Sequence, residues 1–533
     1  MTVEALAWDW LREHDGDISA WHQHIWQLAE PAWREYESCR WYVETLRAHG
    51  FEVEEGSGGM PTAFHASWSQ GDGPRLLTYA EYDAVPGNCQ AATTRREPRP
   101  GLSPFAPGHT DPHSALGIST LAGVLAAQHA MRERGIAGSL VYTGEPAEKM
   151  QGSKVVHGLR GYYDGLDAIL SFHPFYMLPL ANTVRWDTHC GAYYSRIYSF
   201  VCDEPETWGA VYPGSPSPAS HSAARAPGAN SALATMYTLT RTTQDAMLPS
   251  VGGWSLTDAI LTAGQATADN LPASLAQLQY SWRCPDLAAA EAVLGVLDAN
   301  ADAAALATHC RVEKRWVARN RPGIPNHTLA RVTWEVMAEV GAPDLGPEAM
   351  QVARQIHSEL GVETTEDPFL PETRDVLAPW KAEEQLRRLL PADQRNWTSD
   401  DYVEMTWYAP TVRFYMARPT LAPQPAVGAY PAWVMNALGG IPETIDPMIR
   451  SASRVVAGTL LRLMDAPDVL RQAHEEHGRR RREWGDLSPL LPPDFAAPID
   501  FRWPEYVETV RGREWWIPDS AEPWSQTRAK EHT

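Results

Sequence analysis

The sequence predicts an α/β protein, a mostly parallel sheet interrupted by an inserted α+β unit. Three observations point to it. Buried-looking strands alternate with helices through the first 190 residues, the pattern of βαβ units. The periodicity changes near residue 193, where a β-α-β-α-β run of about 120 residues begins. Helical spacing then returns after Asn326.

Taken in order, residues 17–49 carry apolar side chains at spacings of three and four, and Gly50 closes the run. FEVEE is a strand. PRLLTYAEYDAVPG is a buried strand ending in a turn. Residues 115–134 form a helix, and GSLVYTGEPAE and LDAILSFHPF are further strands. In parallel sheets ligands bind beyond the carboxyl ends of the strands; Asp83, Glu148 and His173 fall at such ends. Beyond 193, YYSRIYSFVCDEP, ASLAQLQYSWRCPD and CRVEKRWVARN are strands, with helices at ALATMYTLTRTTQDAM and DLAAAEAVLGVLDANADAAA and a Pro/Gly/Ser-rich loop at PGSPSPASHSAARAPGANS. Residues 366–400 are polar and carry no clear pattern. TVRFYMAR and IRSASRVVAGTLLRLM are a strand and a helix that complete the first unit. The expected boundaries are 1–192 and 316–470 for a catalytic domain, 193–315 for a lid or dimerisation domain, and 471–533 for a C-terminal extension that wraps the surface or meets a partner chain. There are no internal repeats.

The chain has 533 residues, enough for two or three packed units. A formal net charge of -21 argues against nucleic acid, since phosphate binding needs a basic footprint. No apolar run is long enough for a membrane span, and MTVEALAWDW lacks the features of a signal peptide. Six scattered cysteines without CxxC spacing favour neither a thiolate zinc site nor a disulfide framework. The expectation is a soluble cytoplasmic protein acting on a small molecule.

Four segments carry candidate chemistry. HTDPHSALG, His109 to Gly117, sets an aspartate between two histidines before a helix. Imidazole with carboxylate suits zinc, manganese or a similar ion, although a capped polar loop gives the same letters. GEPAEKMQGSK places Glu148 on a turn after a buried strand, where a general base could sit; surface Glu-Lys pairs are also common. His173 ends an apolar strand as a ligand or as a satisfied core residue. Asp446, in PETIDPM, is a ligand or a helix N-cap.

Together these segments resemble the M20 peptidase/amidohydrolase family, in particular its branch of aminobenzoyl-glutamate hydrolases and indole-acetyl-amino-acid hydrolases. The resemblance covers about residues 17–465. EYDAVPG is similar to the family's E-F/Y-D-A-L-P turn, DPHSALG to C-G-H-D/N-x-x-G, PAEK to P-A/G-E-E and SFHP to the next histidine motif. SHSAARAPGANSALA and DNLPASLAQLQYSWR look like its lid segments. The resemblance implies a zinc-exopeptidase-like catalytic domain with an inserted lid, a homodimer, and one or two divalent ions, zinc or manganese. It implies metal ligands at Asp111, His113, His173 and Asp446, a base at Glu148, an oxyanion donor at His221 from the partner's lid, and substrate contacts at Lys149, Asn270 and Arg283. Two positions depart from the pattern. Lys149 stands where the family has a glutamate ligand, and Asp446 where it has the last histidine. A charged ammonium only donates hydrogen bonds, so either one metal remains, held by Asp111, His173 and Asp446, or Glu145 or His109 fills the gap for a second. The implied activity is hydrolysis of a C–N bond in a small N-acyl or N-aroyl amino acid or dipeptide. The altered shell leaves two alternatives, a hydrolytic deaminase of a small aromatic amine and a non-catalytic dimeric binding protein on a decayed scaffold.

Overall fold

The computed structural model describes residues 2–203, 227–247, 253–264, 273–485, 488–501, 503, 505–510 and 512–516. Six strands come first: β1 (Glu52–Glu55), β2 (Phe64–Gln70), β3 (Arg75–Ala80), β4 (Gly138–Gly144), β5 (Ala168–Pro174) and β6 (Thr183–Val184). Four follow: β7 (Ala192–Val201), β8 (Ser255–Ala263), β9 (Leu275–Cys284) and β10 (Arg311–Asn320). β11 (Thr411–Met416) returns to the first group, and β12 (Glu505–Thr509) pairs with β13 (Gly512–Trp516). The first group and β11 form a seven-stranded sheet in the order β1-β2-β4-β3-β5-β11-β6. β7 to β10 form a separate antiparallel sheet in the order β10-β7-β9-β8.

The centre of the large sheet is parallel: β3 pairs with β4 and β5, and β5 with β11. Its strands are buried on both faces because helices cover both. The helix His113–Arg134 is buried along nearly its whole length, wedged between the sheet and the helix Pro442–Met464. Small residues make that fit possible. A methyl on Gly117 would lie 2.2 Å from the Tyr42 hydroxyl and 3.0 Å from the Glu81 carbonyl oxygen. One on Gly123 would lie 2.6 Å from Val456. The helix stops at Gly135, which takes the left-handed conformation at φ 65°.

Several elements differ from the sequence reading. The helical run at 17–49 is two helices, Asp15–Leu28 and Tyr36–Ala48. Ala29 and Trp33 turn left-handed between them. The Glu30 carboxylate accepts from the Glu37 and Ser38 amides at 3.0 and 2.8 Å, capping the second helix. β8, a half-exposed strand with weak alternation, went unrecognised. β10 carries the small sheet to Asn320, past the expected boundary at 315. The last helix of the catalytic unit begins at Pro442, which suits its first turn, so Asp446 lies inside the helix and is not its N-cap.

Beyond the helix Pro467–Trp484, the chain forms a strap. Leu491, Phe495, Ala497 and Trp503 pack with Trp33, Ala147 and Val156 from the large unit and with Ile197 and Val317 from the small sheet. Arg160 donates to the carbonyls of Pro493 and Phe495. Among the described residues no helix is long and apolar enough to cross a membrane.

The Gly117 contact yields a direct expectation. Gly117→Ala forces a methyl into the Tyr42–Glu81 junction and should lower stability by about 1–3 kcal/mol, read as a lower urea midpoint at unchanged slope. A midpoint equal to the parent's would show that the helix does not press on β3 as described.

Candidate active site

The carboxyl ends of β3, β4, β5 and β11 deliver charged side chains to one place. Past β3, Glu81 and Asp83 are fully buried. Past β4, Glu148 stands on a tight turn between Ala147 and Gln151, both left-handed at φ 54° and 53°. The Glu35 carboxylate holds that turn by accepting from the Ala147 amide at 2.7 Å. His173 ends β5. Arg418 follows β11. Asp111 and His113 enter from the start of the helix below.

Hydrogen bonds aim the two imidazoles. His113 Nδ1 donates to Asp83 Oδ1 at 2.6 Å, and His173 Nδ1 to the Pro174 carbonyl at 2.6 Å. Their Nε2 atoms therefore face the cluster with lone pairs, the tautomer a metal ligand needs. His113 Nε2 lies 3.4 Å from Glu81 Oε2 and 3.4 Å from Glu148 Oε2, and His173 Nε2 lies 3.4 Å from Asp111 Oδ2. Glu81 Oε2 and Asp111 Oδ1 are buried without a hydrogen-bond partner. Glu81, His113 and His173 each offer a ligand atom within 4.8 Å of the others, as do Asp83, His113 and Glu148. This inward-facing set of imidazole nitrogens and orphaned carboxylate oxygens fits a divalent cation.

Lys149 enters the same cluster. Its Nζ donates to Asp111 Oδ2 at 2.8 Å and lies 3.0 Å from His113 Nε2 and 3.3 Å from Glu148 Oε2. Burial opposes ionisation of Asp111 and Glu148, but the Lys149 charge overcomes it. Asp111 is held well below the usual carboxylate range and Glu148 falls to about 2. For His113, burial and Lys149 oppose protonation while Asp83 and Glu81 favour it and bring the pKa up to about 9. The geometry decides for the neutral ring, because Nε2 can meet the ammonium only with its lone pair.

The sequence reading missed a second layer. Lys154 Nζ, fully buried, bridges Glu81 Oε1 and Asp401 Oδ1, both at 2.7 Å. Arg413 pairs with Asp400 and donates to the Tyr79 hydroxyl at 2.9 Å. Arg418 lies 3.9 Å from Asp111 Oδ1. Burial raises Asp401 and Glu81 even against the pull of Lys154. The adjacent aspartates of TSDDY were the available signal, but they fell in the stretch without a pattern.

Not every expected residue joins the cluster. His221 and Asn270 lie outside the described residues. Arg283, on β9, donates through Nε to Ser399 Oγ at 2.7 Å and stacks over Tyr193 at 5.2 Å. Glu145 is engaged away from the gap, accepting from His157 Nδ1 and the Tyr163 hydroxyl, both at 2.8 Å. His109 is buried against the Ile25 carbonyl, 3.3 Å away, and burial keeps it neutral. Asp446 does not meet Asp111 and His173. Helix Pro442–Met464 turns it toward the helix Asp15–Leu28, where it shares a pocket with Asp15, Ser19, Arg12, Arg450 and Arg454.

That position makes Asp446 testable. Burial lifts its pKa from 3.8 to about 6, with Ser19 and Arg450 pulling down and Asp15 and Glu443 pushing up. A carboxyl raised on folding favours the folded state while protonated, and that contribution is lost as pH rises through 6. Asp446→Asn should therefore be more stable than the parent by about 1–3 kcal/mol at pH 8, with the difference vanishing near pH 4 and the metal content unchanged. Loss of bound metal in this variant would restore Asp446 as a ligand.

No family model matches the chain. It is 25% identical over 336 residues to a subunit of the p-aminobenzoyl-glutamate hydrolase of Escherichia coli (strain K12), covering 63% of this chain and 65% of that protein. The chain thus matches just under two thirds of that relative's length. It is 25% identical over 364 residues to the Xaa-Arg dipeptidase of Mus musculus, covering 62% of this chain and 70% of that one. The crystal structure of an aminobenzoyl-glutamate utilization protein from Klebsiella pneumoniae superposes with a TM-score of 0.51 at 15% identity, covering 84% of this chain and 98% of the other. The motifs at the strand ends, these sequence matches and the shared fold converge: the chain resembles members of the M20 peptidase/amidohydrolase family.

Proposed function

We propose that the protein is a metal-dependent hydrolase that cleaves the C–N amide bond of a small N-acyl or N-aroyl amino acid or dipeptide. The observation that carries this is the buried Glu148 carboxylate, 3.4 Å from His113 Nε2, within a set of imidazole and carboxylate donors at the mouth of a parallel sheet. His173 and the unpartnered oxygens of Asp111 and Glu81 would hold a divalent cation, zinc or manganese, beside the His113–Lys149 pair. When bound, such an ion lowers the pKa of water toward ~7 and polarises a carbonyl.

The chain's own groups do the rest. Glu148, kept ionised through the neutral range, accepts a proton from water and returns it to the leaving nitrogen. Lys149 sets a fixed positive charge beside the reacting carbonyl. Arg283 stands over the ring of Tyr193 at 5.2 Å. In this reading its guanidinium takes the carboxylate of an amino-acid product. Tyr176, half-buried, sets its ring edge-on to His173 at 5.4 Å, an apolar wall suited to an acyl or aroyl group. His221 as oxyanion donor and Asn270 as substrate contact, both supplied across a homodimer, complete the reading on the strength of the family resemblance. The name of the Escherichia coli relative, a p-aminobenzoyl-glutamate hydrolase, supports an N-aroyl amino acid as the first substrate to try.

The test is a panel of N-aroyl and N-acyl amino acids and dipeptides, followed by chromatography of the products. Amino-acid release should stop on chelation and return with zinc or manganese. Ammonia without amino acid would mark a deaminase, and no turnover of any member would sink the enzyme reading. Within an active enzyme, Glu148→Gln should reduce kcat by about 10²–10⁴-fold at unchanged metal content. Turnover near the parent value would remove Glu148 as the base.

A further inference from the structure

We propose that the Lys149 ammonium is the resident cation at one of the two cation positions of this site, so that ammonium and metal exclude each other there and the chain binds at most one divalent ion. The exclusion itself is independent of the hydrolase reading; only the ion at the remaining position rests on it.

The geometry is that of an ammonium. Its three N–H groups meet three acceptors, Asp111 Oδ2, His113 Nε2 and Glu148 Oε2, at 2.8, 3.0 and 3.3 Å. These are hydrogen-bond separations, longer than the ~2.0–2.2 Å of metal–oxygen and metal–nitrogen bonds. The residue is anchored as well, since its amide donates to Asp83 Oδ2 at 2.8 Å. A divalent ion bound by the same three atoms would have to occupy the space of Nζ.

Charge explains why the exchange is tolerated. In the family pattern a glutamate follows the base. That glutamate and one divalent ion together carry a single positive charge. Lys149 supplies the same charge with no ion, so the electrostatic setting of Glu148 and His113 survives the loss of a metal. A second count sets the remaining capacity. Six carboxylates, those of Glu81, Asp83, Asp111, Glu148, Asp400 and Asp401, face four cationic side chains, Lys149, Lys154, Arg413 and Arg418. The carboxyl groups outnumber these cations by two, so a further cation has a place here. The unpartnered Glu81 Oε2 and Asp111 Oδ1 show where a cation is still wanted, since buried carboxylate oxygens are costly to leave without a partner.

The experiment counts zinc per chain by mass spectrometry after saturation and desalting, for the parent, Lys149→Glu and Lys149→Gln. Lys149→Glu restores a carboxylate donor; Lys149→Gln removes the ammonium without adding charge and guards against misfolding of the first variant. Circular dichroism and thermal melts report folding. The expected result is one more zinc per chain in Lys149→Glu than in the parent, and a weaker gain of the same kind in Lys149→Gln. Equal counts in the parent and both folded variants overturn the proposal. So does an anomalous zinc peak among Asp111, His113 and Glu148 in crystals of the parent. A parent count of zero with a gain of one in Lys149→Glu upholds the exclusion and removes the metal-dependent mechanism instead, so the two readings fail separately.

Discussion

Everything at this site depends on gathering carboxylates where water has little access to them. Buried like charges repel strongly at low dielectric, and an isolated buried carboxylate is expensive. The fold answers with cations of its own. Lys154 sits between Glu81 and Asp401 with no exposed surface, and Arg413 pairs with Asp400. This inner layer joins the ends of β3, β5 and β11 to the turn before the helix Tyr402–Met405. Glu81 and Asp83 can then face the open side of the cluster without the sheet ends splaying. The outer layer of Asp111, His113, Glu148 and Lys149 is built on that foundation. Removing one inner cation would strand the others' partners, which is why buried ion pairs are costly to break even when they add little net stability.

The lysines also separate two tasks that a metal site usually combines. A metal ion both neutralises carboxylates and activates water. Here the neutralising is shared among amino-acid side chains whose positions are set by covalent geometry. The backbone turn around Glu148, with left-handed residues on each side and the Glu35 carboxylate beneath, gives that carboxylate its direction without any ion.

Much of this was legible in the sequence, and the exceptions have physical causes. The parallel strands could be read because each is a short apolar run with a polar turn at its end. Those turns carry Asp83, Glu148 and His173, which the structure brings together with Asp111 and His113. The inner layer was hidden because its pairs are remote; Lys154 and Asp401 are 247 residues apart, and neither lies in a run with a recognisable period. Asp446 was misplaced because its helix starts at Pro442. A residue one turn inside a helix points along that helix's packing face, here toward Asp15 and Ser19 and not toward the strand ends. The split at residues 29–35 was obscured because the apolar spacing continues across it while the backbone does not.

The C-terminal strap couples parts that would otherwise be mechanically separate. Its apolar side chains share one buried cluster with Ala147, the neighbour of Glu148, and with Ile197 and Val317 of the small sheet. A rotation of that sheet about the large unit would have to shear this shared patch, one residue from the Glu148 carboxylate. The strap thus ties the packing of the small sheet to the turn that carries Glu148.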